Sequence, residues 1–209
     1  MDVYKSNNQF LYYDAKEQQT FSYIAPIVIK IIGVQKELRI LEFGCGNGHF
    51  CNVLSTTGHN VVGVDVSETG IEHARKNFPG IQFIQSDICT LLTKPVLAEE
   101  SFDVVVAIEI IEHLWYPREI MRAAKKYLKP DGQFIISTPY HGYLKNLAIS
   151  LFNKWDRHFS VEWDIGHVKF FSVKTLKRVL EDEAFRNIRF EFAGRIPAFW
   201  KSMVCISKR

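Results

Sequence analysis

The chain has 209 residues, of which 47% are hydrophobic and 23% charged, with a net charge of +3. This length suits one well-packed domain and leaves too little chain for two. The small excess of base gives no electrostatic footprint for a nucleic-acid partner, and the absence of paired C-x-x-C spacing among Cys45, Cys51, Cys89 and Cys205 excludes a zinc ribbon.

An ordinary composition also argues against a disulfide scaffold and for a reducing compartment. The N-terminus, Met1-Asp2-Val3-Tyr4-Lys5, lacks a basic-then-apolar signal pattern, and Lys30 or acids interrupt the apolar runs. A soluble, cytoplasmic, single domain over residues 1–209 is the expectation.

Residues 1–36 read as an N-terminal helical arm. Its first 20 residues are polar with scattered Phe10, Tyr12 and Tyr13, a mobile arm or part of a lid; Phe21 to Ile32 has helical spacing, with Pro26 near the first turn or at a kink. Ile40 to Phe43 reads as a buried strand, His49 to Thr57 as a helix closed by Gly58, and Asn60 to Val66 as a second strand. Ser67 caps a helix with Ile71, Ala74 and Phe78 on one face. Ile81 to Gln85 and the Val-rich Phe102 to Ile108 are strands three and four. Pro117 opens a helix with Ile120, Met121, Ala124, Tyr127 and Leu128 inward, stopped by Pro130-Asp131-Gly132, before a fifth strand at Phe134 to Ser137. After a long insertion over 140–168, Ser172 caps a last helix (Leu176, Val179, Leu180), and Ile188 to Phe192 and Met203 to Ser207 form an antiparallel pair at the edge. Strand-helix alternation of this kind predicts an α/β, doubly wound, seven-stranded and mostly parallel sheet, Rossmann-like, with an antiparallel edge strand.

The chemistry concentrates where such a sheet binds ligands, beyond the carboxyl ends of its strands. Glu42 precedes three glycines at alternate positions, Gly44, Gly46 and Gly48; Asp65-Val66 ends the second strand and Asp87-Ile88 follows the third. A side-chain-free bend lets a ligand lie against the backbone, Asp65 can accept two ribose hydroxyls, and Asp87 can meet an adenine amino group. A nicotinamide dinucleotide is the competing ligand, but its fingerprint is G-x-G-x-x-G, and its pyrophosphate would be repelled by Glu42. A ligand carrying sulfonium and ammonium charges suits that acid.

Leu41-Glu42-Phe43-Gly44-Cys45-Gly46-Asn47-Gly48, Val64-Asp65-Val66-Ser67 and Ser86-Asp87-Ile88 resemble the class I S-adenosylmethionine-dependent methyltransferases over residues 38–140. The resemblance implies that Glu42 and the glycines flank the amino-acid part of S-adenosylmethionine, with Asp65 on the ribose. Glu109-Ile110-Ile111-Glu112-His113, followed far downstream by His167, resembles two branches of that superfamily, the ubiquinone-biosynthesis O-methyltransferases and the small-RNA 2′-O-methyltransferases. Matched residue by residue, Glu109, Glu112, His113 and His167 are the implied ligands of a divalent ion, Mg or Mn. Without metal, His113 or His167 is the candidate general base.

The insertion 140–168 is placed to cover the acceptor. Leu144, Leu147, Ala148, Leu151, Phe152 and Trp155 recur at helical spacing, and Trp163 follows. The stripe serves an aromatic flap, ordinary core packing or, flanked by Lys145 and Lys154, peripheral contact of 144–155 with a membrane. The loop Ile196-Pro197-Ala198-Phe199-Trp200-Lys201 is a second aromatic edge of the same mouth. The expected acceptor is a small or lipid-linked hydroxyl compound. The different-class alternative is an inactive, methyltransferase-like binding or regulatory subunit.

Overall fold

The structure, a computed structural model, describes residues 20–35, 37–159 and 166–209. Phe10, Tyr12, Tyr13 and Trp163 therefore lie outside the described residues. In chain order come α1 (Phe21–Ile32), β1 (Arg39–Phe43), α2 (His49–Thr56), β2 (Asn60–Asp65), α3 (Glu68–Asn77), β3 (Gln82–Gln85), α4 (Ile88–Thr93) and β4 (Phe102–Ala107). A 3₁₀ turn at Ile111–His113 follows, then α5 (Arg118–Tyr127), β5 (Leu128–Pro139), α6 (Tyr143–Leu151), α7 (Trp155–Phe159), α8 (Val173–Asp182), β6 (Arg186–Ala193) and β7 (Ser202–Lys208).

The seven strands form one sheet in the order β3-β2-β1-β4-β5-β7-β6. β1 to β5 pair in parallel, while β7 runs antiparallel to both β5 and β6. The predicted antiparallel pair closes the sheet, with β7 seated one place in from the edge and β6 outermost.

Period-two alternation builds the two faces. Ile40, Val104, Val106, Ile135 and Val204 pack with Ile24, Phe50, Leu54 and Ile71 of α1, α2 and α3. Leu41, Phe43, Val105, Ala107, Phe134 and Ile136 pack with Leu91, Ile120, Tyr127, Leu176 and Leu180 of α4, α5 and α8. Helices thus cover both faces, which is why β1 and β4 are largely apolar, with Arg39 and Asp103 at their starts and Glu42 the charged residue buried within β1.

Three local features differ from the sequence reading. Pro26 lies in the second turn of α1. α4 has no counterpart in the predicted elements: it is short, and its cap Asp87 was read as a ligand contact. β5 starts at Leu128, which pairs with Phe102; pairing resumes at Gln133 opposite Val104 after an excursion through Pro130-Asp131-Gly132.

Candidate active site

The glycine bend is fixed by the strand beside it. The backbone N–H groups of Gly44 and Cys45 both donate to Val64 O (2.7 and 3.1 Å), at the end of β2. Gly44, Gly46 and Gly48 have φ of 72°, 51° and 80°, in the left-handed region. At Gly48 space forbids a side chain as well, since a Cβ would lie 2.7 Å from the Phe83 ring and 2.9 Å from Ala74 Cβ. This glycine lets α2 start against α3 and β3.

Asp65 clamps the bend. Its Oδ2 accepts from Gly46 N (2.8 Å) and its Oδ1 from Ser67 N (2.7 Å), so one carboxylate joins the glycine loop to the start of α3. Burial raises its pKa and these backbone donors lower it. Each oxygen keeps a lone pair for a ribose hydroxyl. Val66 beside it is 53% exposed, an apolar surface at the mouth.

Glu42 lies beneath the bend, fully buried. The Cys51 thiol donates to its Oε2 (2.9 Å). Burial, opposed by that bond and reinforced by Asp65, pushes its pKa up to about 8. Gly63, opposite Glu42 on β2, makes the space: a Cβ there would lie 2.8 Å from the sulfurs of both Cys45 and Cys51. The sequence reading missed Gly63 and Cys51, whose only signal was a glycine inside a strand.

Asp87 caps α4. Its Oδ1 accepts from Thr90 N (2.8 Å) and its Oδ2 from the Thr90 hydroxyl (2.7 Å). Ile88 is partly buried against the core under α4. Both residues stand at the end of β3, next to Asp65, whose carbonyl accepts from Ser86 N (2.9 Å).

Beyond β4 the chain turns back at Glu109, a non-glycine residue with φ of 53°. Ser137 on β5 holds it there: the Ser137 hydroxyl accepts from Glu109 N (3.0 Å) and donates to Glu109 Oε1 (2.8 Å). Burial raises the Glu109 pKa to about 7. The side chain of Ile110 then covers Gly44, so that a Cβ at Gly44 would lie 2.2 Å from Ile110 Cδ1.

Glu112, in the 3₁₀ turn, is fully buried, and neither carboxylate oxygen has a hydrogen-bond partner. Its pKa is driven well up, first by burial and then by Glu109. Its backbone carbonyl accepts from Val168 N (2.8 Å) and Lys169 N (3.0 Å). Those two bonds carry His167 to His113, with ring centroids 4.9 Å apart. One ligand atom each from Glu112, His113 and His167 lie within 4.8 Å of one another, a spacing that fits a metal ion. Glu109, which the resemblance implies as a fourth member, is outside this group among the described residues: with its left-handed backbone, its carboxylate accepts from Ser137. Burial, then the neighbouring His113 and His158, lowers the His167 pKa to about 4.

α6 and α7 stand over this side. Leu144, Leu147, Leu151, Phe152 and Trp155 are all at least 42% exposed, so the stripe does not pack on the core. Lys145 does not flank it in solvent; it is buried, its Nζ donating to Tyr140 O (2.7 Å). Phe159 stacks on Trp155 (4.7 Å) and on His141 (5.8 Å). In the Ile196 to Lys201 loop, Trp200 stacks on Phe192 (4.4 Å) and meets Tyr140 edge-on. A groove of about 480 Å³ opens between the starts of α5 and α8, lined by Trp115, Tyr116, Arg118, Lys169 and Phe170 among others. No helix among the described residues is long and apolar enough to cross a membrane.

The profile of a methyltransferase domain family matches residues 16–189. A ubiquinone biosynthesis O-methyltransferase of Bradyrhizobium diazoefficiens is 30% identical over 154 residues, 69% of this chain and 57% of that protein. A probable S-adenosylmethionine-dependent methyltransferase of Mycobacterium tuberculosis is 33% identical over 100 residues, 48% of this chain; the match spans 35% of that protein's length. Among solved structures, a Pyrococcus horikoshii protein superposes with a TM-score of 0.71 over 94% of both chains at 20% identity. A SAM-dependent methyltransferase of Archaeoglobus fulgidus does so with a TM-score of 0.67 at 19% identity, over 88% of this chain and 92% of that one. The left-handed glycine bend, the two acids bracketing it and the seven-stranded order therefore meet a family match over most of the chain, and the chain belongs to the methyltransferase domain family.

Proposed function

We propose that the chain transfers a methyl group from S-adenosylmethionine to a hydroxyl oxygen of a small or lipid-linked acceptor, assisted by a divalent ion, Mg or Mn. The observation that carries this reading is Glu112: a buried carboxylate with two unpartnered oxygens facing two imidazoles. An orphaned carboxylate is costly to bury, and a cation between Glu112, His113 and His167 removes that cost. Carboxylate and imidazole are ordinary donors for Mg and Mn. When bound there, the ion lowers the pKa of a coordinated hydroxyl and orients it.

The reaction forms an O–CH₃ bond, breaks a C–S bond and releases the hydroxyl proton. The chain's own contribution is position and charge. Glu42 and Asp65 set carboxyl groups below and beside the bend, and a ligand bearing sulfonium and ammonium groups favours their ionised form. Ile110, lying over Gly44, sets the start of the acceptor loop against the donor loop. His167, with a pKa of about 4, is a weak proton acceptor at neutral pH and is better suited to be a ligand than a base.

Two further features support an apolar acceptor. The groove between the starts of α5 and α8 is rimmed by Trp115, Tyr116 and Phe170, a setting for a ring or tail. The exposed Leu144, Leu151, Phe152 and Trp155 give α6 and α7 an apolar outer surface for shallow contact with a bilayer carrying a lipid-linked acceptor. The relationship to a ubiquinone biosynthesis O-methyltransferase points the same way.

The test uses chelator-treated protein. Mn should raise the melting temperature and restore methylation of a catechol by S-adenosylmethionine. No melting shift with Mn, together with unchanged turnover in chelator, removes the metal from this reading; no binding of S-adenosylhomocysteine removes methyl transfer itself. For the membrane surface, liposome co-sedimentation should fall about tenfold in Phe152→Ser, and a chain that never sediments with lipid ends that part.

A further inference from the structure

Several basic side chains in the fold are tied to acids. Arg118 pairs with Asp182, Arg122 with Glu183, Lys129 with Asp103 and Arg186 with Asp131. At the acceptor mouth this pattern fails. Lys145 is 5% exposed, yet its one hydrogen bond runs to a backbone carbonyl, Tyr140 O (2.7 Å), which leaves two ammonium donors. Among the described residues neither Lys145 nor Arg195 forms an ion pair. Arg195 sits in the β6–β7 turn with φ of 64°, following Gly194 with φ of 70°.

His141 and His158 complete the group, their rings 5.8 Å apart, with Phe159 and Phe170 against His141. Tyr140 N donates to Lys201 O (2.9 Å) and Lys201 N to Gly194 O (3.2 Å), which brings the β6–β7 turn carrying Arg195 beside the segment that holds His141 and Lys145, with Glu109 as a carboxylate within electrostatic reach. That acid is already engaged by Ser137. After burial, Lys145 lowers both histidines and Arg195 lowers both Lys145 and His158, and Glu109 offsets only part of this at Lys145.

We propose that Lys145 and Arg195, with His141 and His158, form an anion subsite that receives a carboxylate or phosphate group carried by the methyl acceptor. This deepens the reading above and rests on it: the acceptor is then an amphipathic hydroxyl compound bearing an acidic group as well as an apolar part. A buried ammonium without an acid is a vacancy of charge, and removing either partner of such a pair is costly once it forms. Donors from three segments also fix an oxyanion's position, so the subsite orients the acceptor hydroxyl toward Glu112, His113 and His167. Phe159 and Phe170, packed on His141, give the subsite an apolar side.

Calorimetry at fixed ionic strength tests the subsite, using the full chain saturated with S-adenosylhomocysteine. Inorganic phosphate and benzoate are the two probes, titrated separately. The expected result is saturable binding of at least one, weakened tenfold or more by Lys145→Met and by Arg195→Ala, and unchanged by Lys177→Ala on the far surface. Tighter phosphate assigns a phosphate ester; tighter benzoate assigns an aryl carboxylate. Arg195 is exposed, so its variant reports even where Lys145→Met fails to fold. No saturable binding of either anion, or equal affinity in the Arg195→Ala variant, overturns the subsite. A chain that does not take up S-adenosylhomocysteine in the loading step instead overturns the methyltransferase reading, and the two failures stay distinct.

Discussion

The two sides of the mouth are built in opposite ways. On the β1–β2–β3 side the acids are tied within the chain: Glu42 to Cys51, Asp65 to Gly46 and Ser67, Asp87 to Thr90. On the β4–β5 side Glu112 has two oxygens without partners, Lys145 has a single hydrogen bond, and aromatic side chains face outward. The first side is finished before any ligand arrives, as preorganised binding requires. The second is completed by what binds there. The two meet where Ile110 covers Gly44.

If the donor side is rigid, a side chain in its bend should be felt by the whole fold. Gly48→Ala must hold φ near 80° and fit a Cβ against Phe83 and Ala74. The combined strain should cost roughly 2–4 kcal/mol and lower the melting temperature by about 10 °C. Wild-type melting would mean the bend yields, and the contrast between the sides would weaken.

The acceptor side should show the reverse: large functional loss with little loss of fold. Glu112→Gln replaces a carboxylate that is already driven toward its neutral form. In chelator it should melt close to wild type. It should lose the Mn-dependent rise in melting temperature and about 100-fold or more in turnover, while S-adenosylhomocysteine affinity stays unchanged. A matching loss of S-adenosylhomocysteine affinity would join the two sides into one unit.

The same contrast decides what could be read in the sequence. The sheet was legible because its strands carry short apolar runs and its turns carry Gly58, Ser67 and Ser172, each a local signal. Glu42, the glycines and Asp65 were legible because their roles depend on backbone position at strand ends. The setting of Glu109 was not legible: Ser137, far along the chain, holds it in a left-handed conformation that no local pattern encodes. Lys145 looked like a solvated flank of an amphipathic stripe, and only the Tyr140 carbonyl in three dimensions reveals it as buried. Asp87 carried a capping signal that was overlooked because a ligand role was already assigned to it.

A smaller effect should appear in the pH dependence of stability. The Glu42 pKa rises from 4.5 to about 8 on folding, so between those values the folded chain binds more protons than the unfolded one. Stability then falls as pH rises through that window. Chemical denaturation at successive pH values should show this slope, and Glu42→Gln should flatten it. Asp65, Glu109 and Glu112, also raised, add slope of the same sign, while His141 and His167, lowered from 6.5 to about 4, oppose it between those values, so the difference between the variant and wild type is the readout. An unchanged slope in the variant would place Glu42 in a wetter site than its burial implies.

The smallest expected effect separates two roles of one residue. Asp87 caps α4 through Thr90, so Asp87→Ala should cost about 1 kcal/mol, a few degrees of melting, and Asp87→Asn should restore it. The expected adenine contact is a separate matter, because each oxygen retains a lone pair after capping. Binding of S-adenosylhomocysteine and of its inosine analogue, which lacks the amino donor, reads that contact directly. Wild type should prefer adenine several-fold, and Asp87→Ala should lose the preference. A preference that survives in Asp87→Ala would leave Asp87 as a cap alone and assign adenine recognition to another group at the end of β3.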